Sequence, residues 1–472
     1  MKKNHSIFKS ILVCFFIFIA LSWIIPTGSI AEGTYTASTI KPVGLFGVGY
    51  YPTLALTNFI QFGIIALVLG GFYGVLNQTG AYQKLIDKIA KKREGNEKLF
   101  LILTIVGFTI LSSVIGTQYG ILVFVPLFIG ILLKMGFSNI TAVSATIGSM
   151  LAGSIASTYS YSVGTQMAQL LQTNVNDHII FKFAFLVIVL FLYMLFVTGN
   201  SAATLKKKKK KDETIIIPFA ESAITTKKKT KALTIMLISL GILLFVGMTN
   251  WKYMFGIEIF EKFHENIATI KLGEMSIVSA ILNISNPLGY WSSVELIVSL
   301  LIFSVLIGWI YNLKFDEIID GFASGAKRMF KTSFLMTFAS IVFVLMLVGG
   351  ESTIFITIAE KLSTITEGFN FLFTSIMGLL SGFFYNDFYY ALSSITDIVT
   401  RMSGTKYLLA SGFIFQTMHS LMMMIMPTSL ILVAGLSILD ISFKEWIKYI
   451  YKFILQMLAI SLVISIILVL IA

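Results

Sequence analysis

The chain has 472 residues, of which 56% are hydrophobic and only 12% are charged. A water-soluble protein of this length carries about 25% charged residues, so the composition excludes a soluble globular protein. The net charge of +12 does not indicate nucleic-acid binding, because the basic residues lie between apolar stretches and orient a membrane protein. The single cysteine, Cys14, lies in an apolar run and can form no internal disulfide.

Apolar runs of about 20 residues predict membrane-crossing helices along the whole chain. They lie near 8–27, 59–78, 98–134, 139–170, 179–198, 232–248, 293–311, 332–350, 369–400, 406–438 and 450–471. The first run follows a basic flank, but no small-x-small cleavage site comes after it. We therefore expect a retained first helix rather than a cleaved signal peptide.

The distribution of lysine and arginine predicts the orientation. With the amino terminus in the cytoplasm and the runs alternating sides, most of the 35 basic residues fall at the cytoplasmic face. We therefore expect a multi-pass protein of the bacterial inner cell membrane with a cytoplasmic amino terminus.

The layout of the runs occurs twice, which predicts an all-α polytopic membrane protein with two inverted repeats. We expect the first repeat over 1–200, a basic cytoplasmic linker over 201–231, and a linking helix with an extracellular segment over 232–290. The second repeat then covers 291–472. The single linking helix inverts the second copy relative to the first.

Each repeat contains a two-armed segment, near 98–134 and 369–400, that we interpret as a re-entrant hairpin. The arms 99–113 and 370–380 would be about 22 Å and ~17 Å long, short of the roughly 30 Å hydrocarbon core. Polar tips at such depth must line a cavity or be buried in protein, which predicts a solute site. Two short helices joined at the far surface are the alternative. The predicted tip residues are Gly116, Thr117, Gln118, Tyr119, Tyr385, Asn386 and Asp387.

An interrupted membrane helix follows each hairpin. Hydroxyl residues crowd the run 139–170, and a proline interrupts the run 406–438. Broken helices can aim backbone dipoles at a solute, although kinked helices with small residues for close packing are the alternative. The predicted site residues here are Ser157, Thr158, Tyr159, Ser160, Pro427, Thr428 and Ser429.

Two titratable residues in apolar surroundings are candidates for coupling to a sodium ion or a proton. Asp387 lies in the second hairpin, where an ionised carboxylate costs about 2.5–3.5 kcal/mol and needs a wet cavity or a cation. A structural role beside Tyr385, Tyr389 or Tyr390 is the alternative. His419 can relay protons or serve as a packing residue.

The sequence holds no motif for covalent chemistry or nucleotide binding, so we expect no enzyme, no metal site and no cofactor. The expected partners are a small-molecule substrate and the lipid bilayer, with a homodimer as one further expectation and no nucleic acid.

Several segments resemble the YfcC/DcuC-like carriers of the ion transporter superfamily. They are GTQYG at 116–120, FVPL at 124–127, FDEIIDGFASGA at 315–326, MPTS at 426–429 and EWIKY at 445–449. The resemblance implies an inverted-repeat carrier that works by elevator-type alternating access, with the two tips and the two helix breaks around the substrate. It also implies four-carbon dicarboxylates or basic amino acids as substrates.

The second tip departs from that pattern, because it carries aromatic residues and Asp387 where relatives are rich in proline, serine and glycine. A carboxylate beside aromatic rings favours a cationic substrate. The sequence therefore predicts a secondary active transporter, with arginine/ornithine-type exchange first and dicarboxylate carriage as the alternative. A passive channel or a membrane-embedded enzyme would be a different class.

Overall fold

The computed structural model describes residues 6–208, 217–220, 230–270, 286–348, 352–365 and 368–471. Most of the predicted linker 201–231 and the middle of the predicted extracellular segment therefore lie outside the described residues. The described part is almost entirely helical, and seven of its helices are long and apolar enough to cross a membrane. The protein is an all-α polytopic membrane protein.

The first half contains a short β-hairpin and eleven α-helices. The strands are β1 (Gly28–Ala31) and β2 (Thr34–Ala37). The helices are α1 (Ser6–Ser22), α2 (Leu45–Asn58), α3 (Ile60–Gln78), α4 (Ala81–Lys92), α5 (Glu97–Val114), α6 (Gln118–Leu122), α7 (Val125–Lys134), α8 (Asn139–Val143), α9 (Ser149–Ile155), α10 (Gln166–Leu170) and α11 (Ile179–Lys208). A π-helical turn, Ser144–Gly148, joins α8 to α9, and another, Tyr161–Thr165, leads into α10.

The linking region and the second half contain the remaining described helices. They are α12 (Thr230–Met248), α13 (Trp251–Phe255), α14 (Ile259–Ala268), α15 (Ser293–Ile310), α16 (Phe315–Ala339), α17 (Ile341–Val348), α18 (Ile354–Ser363), α19 (Phe371–Phe384), α20 (Phe388–Ser393), α21 (Thr396–Met423), α22 (Leu430–Ile438) and α23 (Phe443–Ile471). Gly404 interrupts α21 with φ 55° and ψ −168°.

The element order repeats, as predicted. The hairpin α5–α7 corresponds to α19, α20 and α21 up to Gly404, and the rest of α21 corresponds to α8 and α9. A break then follows in each copy, at 156–160 and at 424–429, before the helical segments 161–170 and α22. The long helices α11 and α23 close the two repeats.

The two copies meet where α3 packs against α16. A Cβ atom placed on Gly70 would lie 2.6 Å from the carbonyl oxygen of Gly325, and one on Gly74 would lie 2.1 Å from that of Gly321. Because numbers rise along α3 as they fall along α16, the equivalent helices are antiparallel, as inverted repeats require. Each helix supplies a glycine pair four residues apart, which lets the backbones touch.

A matched ion pair anchors each hairpin to the short helix before it. Lys134, at the end of the first hairpin, lies 2.7 Å from Asp87 on α4. Arg401, near the end of the second hairpin, pairs with Glu360 on α18. In both repeats the hairpin carries the cation and the short helix carries the carboxylate.

Several predicted boundaries were wrong. Helix α16 starts at Phe315 and joins α17 after Ser340, so the predicted span 332–350 misses its first half, where charged residues mask the helical pattern. The β-hairpin and α2 were not predicted. The arm α5 covers Glu97–Val114 and is long enough to cross a membrane, whereas α7 and α19 are shorter. The tip that follows α5 is nevertheless buried in protein, because it bonds the first break.

We expect Gly325→Ala to destabilise the fold by about 1–3 kcal/mol or more, because its methyl group would overlap the backbone of α3. Gly107→Ala on α5 is the control, since nothing lies within 4 Å of a Cβ there. Thermal unfolding of the detergent-purified variants, followed by tryptophan fluorescence, measures the difference. Equal melting temperatures for the two variants would contradict the close helix crossing.

Candidate functional site

Both hairpin tips, the helical segment after the first break and the last residue of the second break, Ser429, border one cavity of about 280 Å³. Eight of the predicted site residues line it: Gly116, Thr117, Gln118, Tyr119, Asn386, Asp387, His419 and Ser429. Seven do not: Ser157, Thr158, Tyr159, Ser160, Tyr385, Pro427 and Thr428. The two repeats therefore build one shared site, but only part of each predicted motif faces it.

The first tip and the first break form one hydrogen-bonded unit. The backbone N–H groups of Thr158 and Ser160 both donate to the carbonyl of Ser113, at 3.0 and 3.2 Å. Tyr161 N donates to the carbonyl of Ile115 at 3.3 Å. The break residues thus satisfy the end of α5, which explains why Thr158 and Ser160 are buried away from the cavity.

Gly116 allows this close approach. Its φ is +73°, a region that favours glycine, and a Cβ atom there would lie 1.9 Å from the Ser160 hydroxyl oxygen. Two residues further on, Gln118 donates from Nε2 to the Ser154 hydroxyl at 2.8 Å. Gln118 is therefore held against α9 at the edge of the cavity.

The second tip points its three polar residues in different directions. Tyr385 packs in the core against the rings of Phe343 and Phe355, at 5.9 and 5.6 Å, so it does not line the cavity. Asn386 donates from Nδ2 to the Ser340 hydroxyl at 3.3 Å, between α16 and α17. Asp387 alone presents a charge to the cavity, where its side chain is exposed.

Asp387 also caps the helix that follows it. Its carboxylate accepts a hydrogen bond from Tyr390 N, at 3.3 Å, in the first turn of α20. A carboxylate at this position stabilises a helix N-terminus. The structural alternative and the coupling hypothesis are therefore compatible, because the same carboxylate caps α20 and faces the cavity.

Two helical segments begin at the cavity. The segment 161–170 borders it through Tyr161, Ser162 and Val163, and α22 borders it through Leu430 and Ile431. The first intrahelical hydrogen bond of α22 runs from Val433 N to Ser429 O at 2.9 Å. The backbone N–H groups of residues 430–432 therefore have no acceptor within the helix. Helix N-termini carry partial positive charge and favour anions. The two repeats thus begin two helical segments at one cavity. In the first segment, however, Tyr161 N already donates to Ile115 O, Val163 N to Ser160 O, and Gly164 N to the Ser157 hydroxyl.

Among the described residues that border the cavity there is no lysine or arginine. Lys252, on α13, is close in sequence to the cavity residue Asn250, but its ammonium group pairs with Glu261 at 2.7 Å and with Glu258 at 3.6 Å. The hydrogen bond to Glu261 raises the pKa of the Lys252 ammonium, so the group stays charged and paired. Positive potential in the cavity therefore comes from the backbone.

One wall of the cavity was not predicted. It consists of Met248, Asn250, Gly289, Tyr290 and Trp291, in and directly after the linking region 232–290, where no site residue was predicted. Gly289 N and Trp291 N both donate to the carbonyl of Gly247, at 2.7 and 3.0 Å, which pins the segment to the end of α12. The pair of aromatic residues after a glycine was the available sequence signal, but aromatic residues at a membrane interface are too common to indicate a site.

Other cavity residues were not among the predicted site residues, although all but Phe388 lie in the interrupted runs 139–170 and 406–438. They are Leu151, Ser154, Tyr161, Ser162, Val163, Phe388, Ser420, Met423, Leu430 and Ile431. Within the described ranges, no group of three His, Cys, Asp or Glu side chains is placed to hold a metal ion.

Comparison with known proteins identifies the family. Among curated proteins there is no significant match to this chain. Two solved transporters are similar to this chain: Alcanivorax borkumensis YdaH, with 15% identity over 98% of both chains, and Neisseria gonorrhoeae MtrF, with 14% identity over 97% of this chain and 94% of the other. Both TM-scores are 0.39, too low for these two structures to support an argument. The family model of the C4-dicarboxylate anaerobic carrier, DcuC, matches residues 6–472. The protein therefore belongs to the DcuC family of carriers.

Proposed function

We propose that the protein is a secondary active carrier of a four-carbon dicarboxylate. The observation that carries this proposal is the convergence of two helix N-termini, one from each inverted repeat, on one cavity. A dicarboxylate has two anionic groups, and the partial positive charge of helix N-termini favours anions. The family description, a C4-dicarboxylate carrier, supports the same substrate class.

The size of the cavity supports a small metabolite. Ligand pockets in proteins are about 300–1,000 Å³, and this cavity is at the lower end, at about 280 Å³. The aromatic side chains of Tyr119, Tyr161 and Trp291 enclose it together with hydroxyl residues. A site of this kind encloses a short carbon chain and hydrogen-bonds its ends.

The dicarboxylate reading replaces the basic amino acid that the sequence placed first. That prediction depended on Asp387 as the partner of a cationic substrate. In the structure the helix ends that border the cavity favour an anion as the substrate. The family match also favours the dicarboxylate alternative.

Asp387 has a separate role in this proposal. A carboxylate that shares a cavity with a dianion repels it, unless a cation accompanies the substrate. We propose that a sodium ion or a proton binds at Asp387 and is carried with the dicarboxylate. The inverted repeats would expose this site to each side of the membrane in turn. The bacterial inner membrane, the cytoplasmic amino terminus and a homodimer belong to the same proposal, and the distribution of basic residues supports the orientation.

We expect the purified protein, reconstituted in liposomes loaded with succinate, to take up labelled succinate. Excess unlabelled fumarate or L-malate should compete, because each offers two carboxylates at a similar spacing. Excess arginine or ornithine should not compete. Protein-free liposomes provide the background.

A different pattern of competition would contradict the proposal. If arginine uptake into ornithine-loaded vesicles is observed and the diacids do not reduce it, the substrate is a basic amino acid. Uptake of many unrelated solutes without saturation would instead indicate a channel.

We expect Asp387→Asn to reduce cation-driven succinate uptake by roughly 10- to 150-fold, the range given by loss of a charge-assisted interaction of about 1.5–3 kcal/mol. Asparagine is also a good helix cap, so α20 should remain folded. Asp320→Asn, which removes an exposed carboxylate on α16, is the matched control. The measurement is initial uptake with an imposed sodium or proton gradient. Wild-type gradient-driven uptake in Asp387→Asn would exclude this residue as the coupling group.

A further inference from the structure

His419 lies on α21 beside the cavity, and its two ring nitrogens have different surroundings. The residue is 3% exposed and lines the cavity together with Ser420. Its ring packs edge-on against Phe388, with ring centres 5.6 Å apart. The Nδ1 atom lies 2.8 Å from the Ser381 hydroxyl oxygen on α19.

The hydrogen bonds of Ser381 assign the histidine tautomer. The Ser381 hydroxyl also lies 2.7 Å from the carbonyl oxygen of Gly378, which can only accept a hydrogen bond. One hydroxyl hydrogen serves one acceptor, so it is donated to Gly378. His419 Nδ1 must then carry a proton and donate to Ser381. In the neutral ring, Nε2 is therefore an acceptor.

Within the described part of the chain, the Nε2 atom has no hydrogen-bond partner. It is also not one of the fully buried nitrogen and oxygen atoms that lack a partner. Nε2 therefore keeps some accessible surface, and the cavity is the space that His419 borders. An acceptor left unpaired in a low-dielectric site is unfavourable, so a bound solute that displaces water must offer a donor there. Protein packing alone satisfies only one side of the ring.

This requirement distinguishes two kinds of four-carbon dicarboxylate. An ionised, unsubstituted diacid such as succinate has only acceptor oxygens, so it leaves Nε2 unpaired. A diacid with a hydroxyl group on the chain, such as L-malate, has one donor. We infer that His419 Nε2 accepts a hydrogen bond from a substrate hydroxyl, and that the carrier prefers hydroxylated dicarboxylates. The inference rests on the proposed dicarboxylate function.

Binding of succinate and of L-malate to the purified wild-type protein, measured by calorimetry, tests the preference. We expect L-malate to bind roughly two- to twelvefold more tightly, the range for one neutral hydrogen bond of about 0.5–1.5 kcal/mol. The ratio of the two dissociation constants should fall towards one in His419→Phe. It should also fall in Ser381→Ala, which removes the partner that fixes the tautomer while leaving the histidine in place.

Ser375→Ala is the matched control, because Ser375 lies on the same helix and donates to a backbone carbonyl, that of Phe371 at 2.7 Å, without a bond to His419. Its ratio should equal that of the wild type. Equal affinities for the two diacids in the wild type would overturn the hydroxyl preference and leave the dicarboxylate function standing. A ratio that is unchanged in Ser381→Ala would overturn the tautomer argument. Failure of the wild type to bind either diacid would overturn the proposed function, and with it this inference.

Discussion

Inside a membrane, a chain that leaves the helical path exposes N–H and carbonyl groups that lipid cannot bond, and this constraint determines how the site is built. The first arm of the first hairpin ends at Ser113 and Ile115, whose carbonyls accept hydrogen bonds from the first break and from the residue directly after it. Two irregular segments therefore satisfy each other and must stay together. The helical segment after the break then begins beside the cavity, and its position follows from this pairing.

The frame around the site depends on a second contact, between α3 and α16. Glycine pairs allow the two backbones to touch, and the antiparallel register relates one repeat to the other. The ion pairs Lys134–Asp87 and Arg401–Glu360 lie at equivalent places in the two repeats, each between a hairpin and the short helix before it. Each hairpin is thus tied to the helix before it, and the first is also tied at its tip to the break that follows.

The sequence was sufficient to predict the class, the repeat, both hairpins and both breaks, because apolar length and polar interruptions are local signals. The family resemblance is confirmed for DcuC, while its finer YfcC-like substrate prediction is not tested. The orientation of side chains was not predictable. Tyr385 and Thr158 look like site residues, yet packing and backbone pairing turn them away from the cavity. Asn250 and Trp291 were missed because a distant loop contact at Gly247 brings them to it.

A cavity whose positive potential comes from main-chain helix ends has a consequence for selectivity. Side chains such as Tyr161, Asn250 and Trp291 can be exchanged without removing the partial positive charge of the helix ends, since that charge belongs to the backbone. Under the proposed function, discrimination between chemically related anions then depends on these exchangeable side chains. In a carrier with such a site, single substitutions can change the substrate while the fold stays the same.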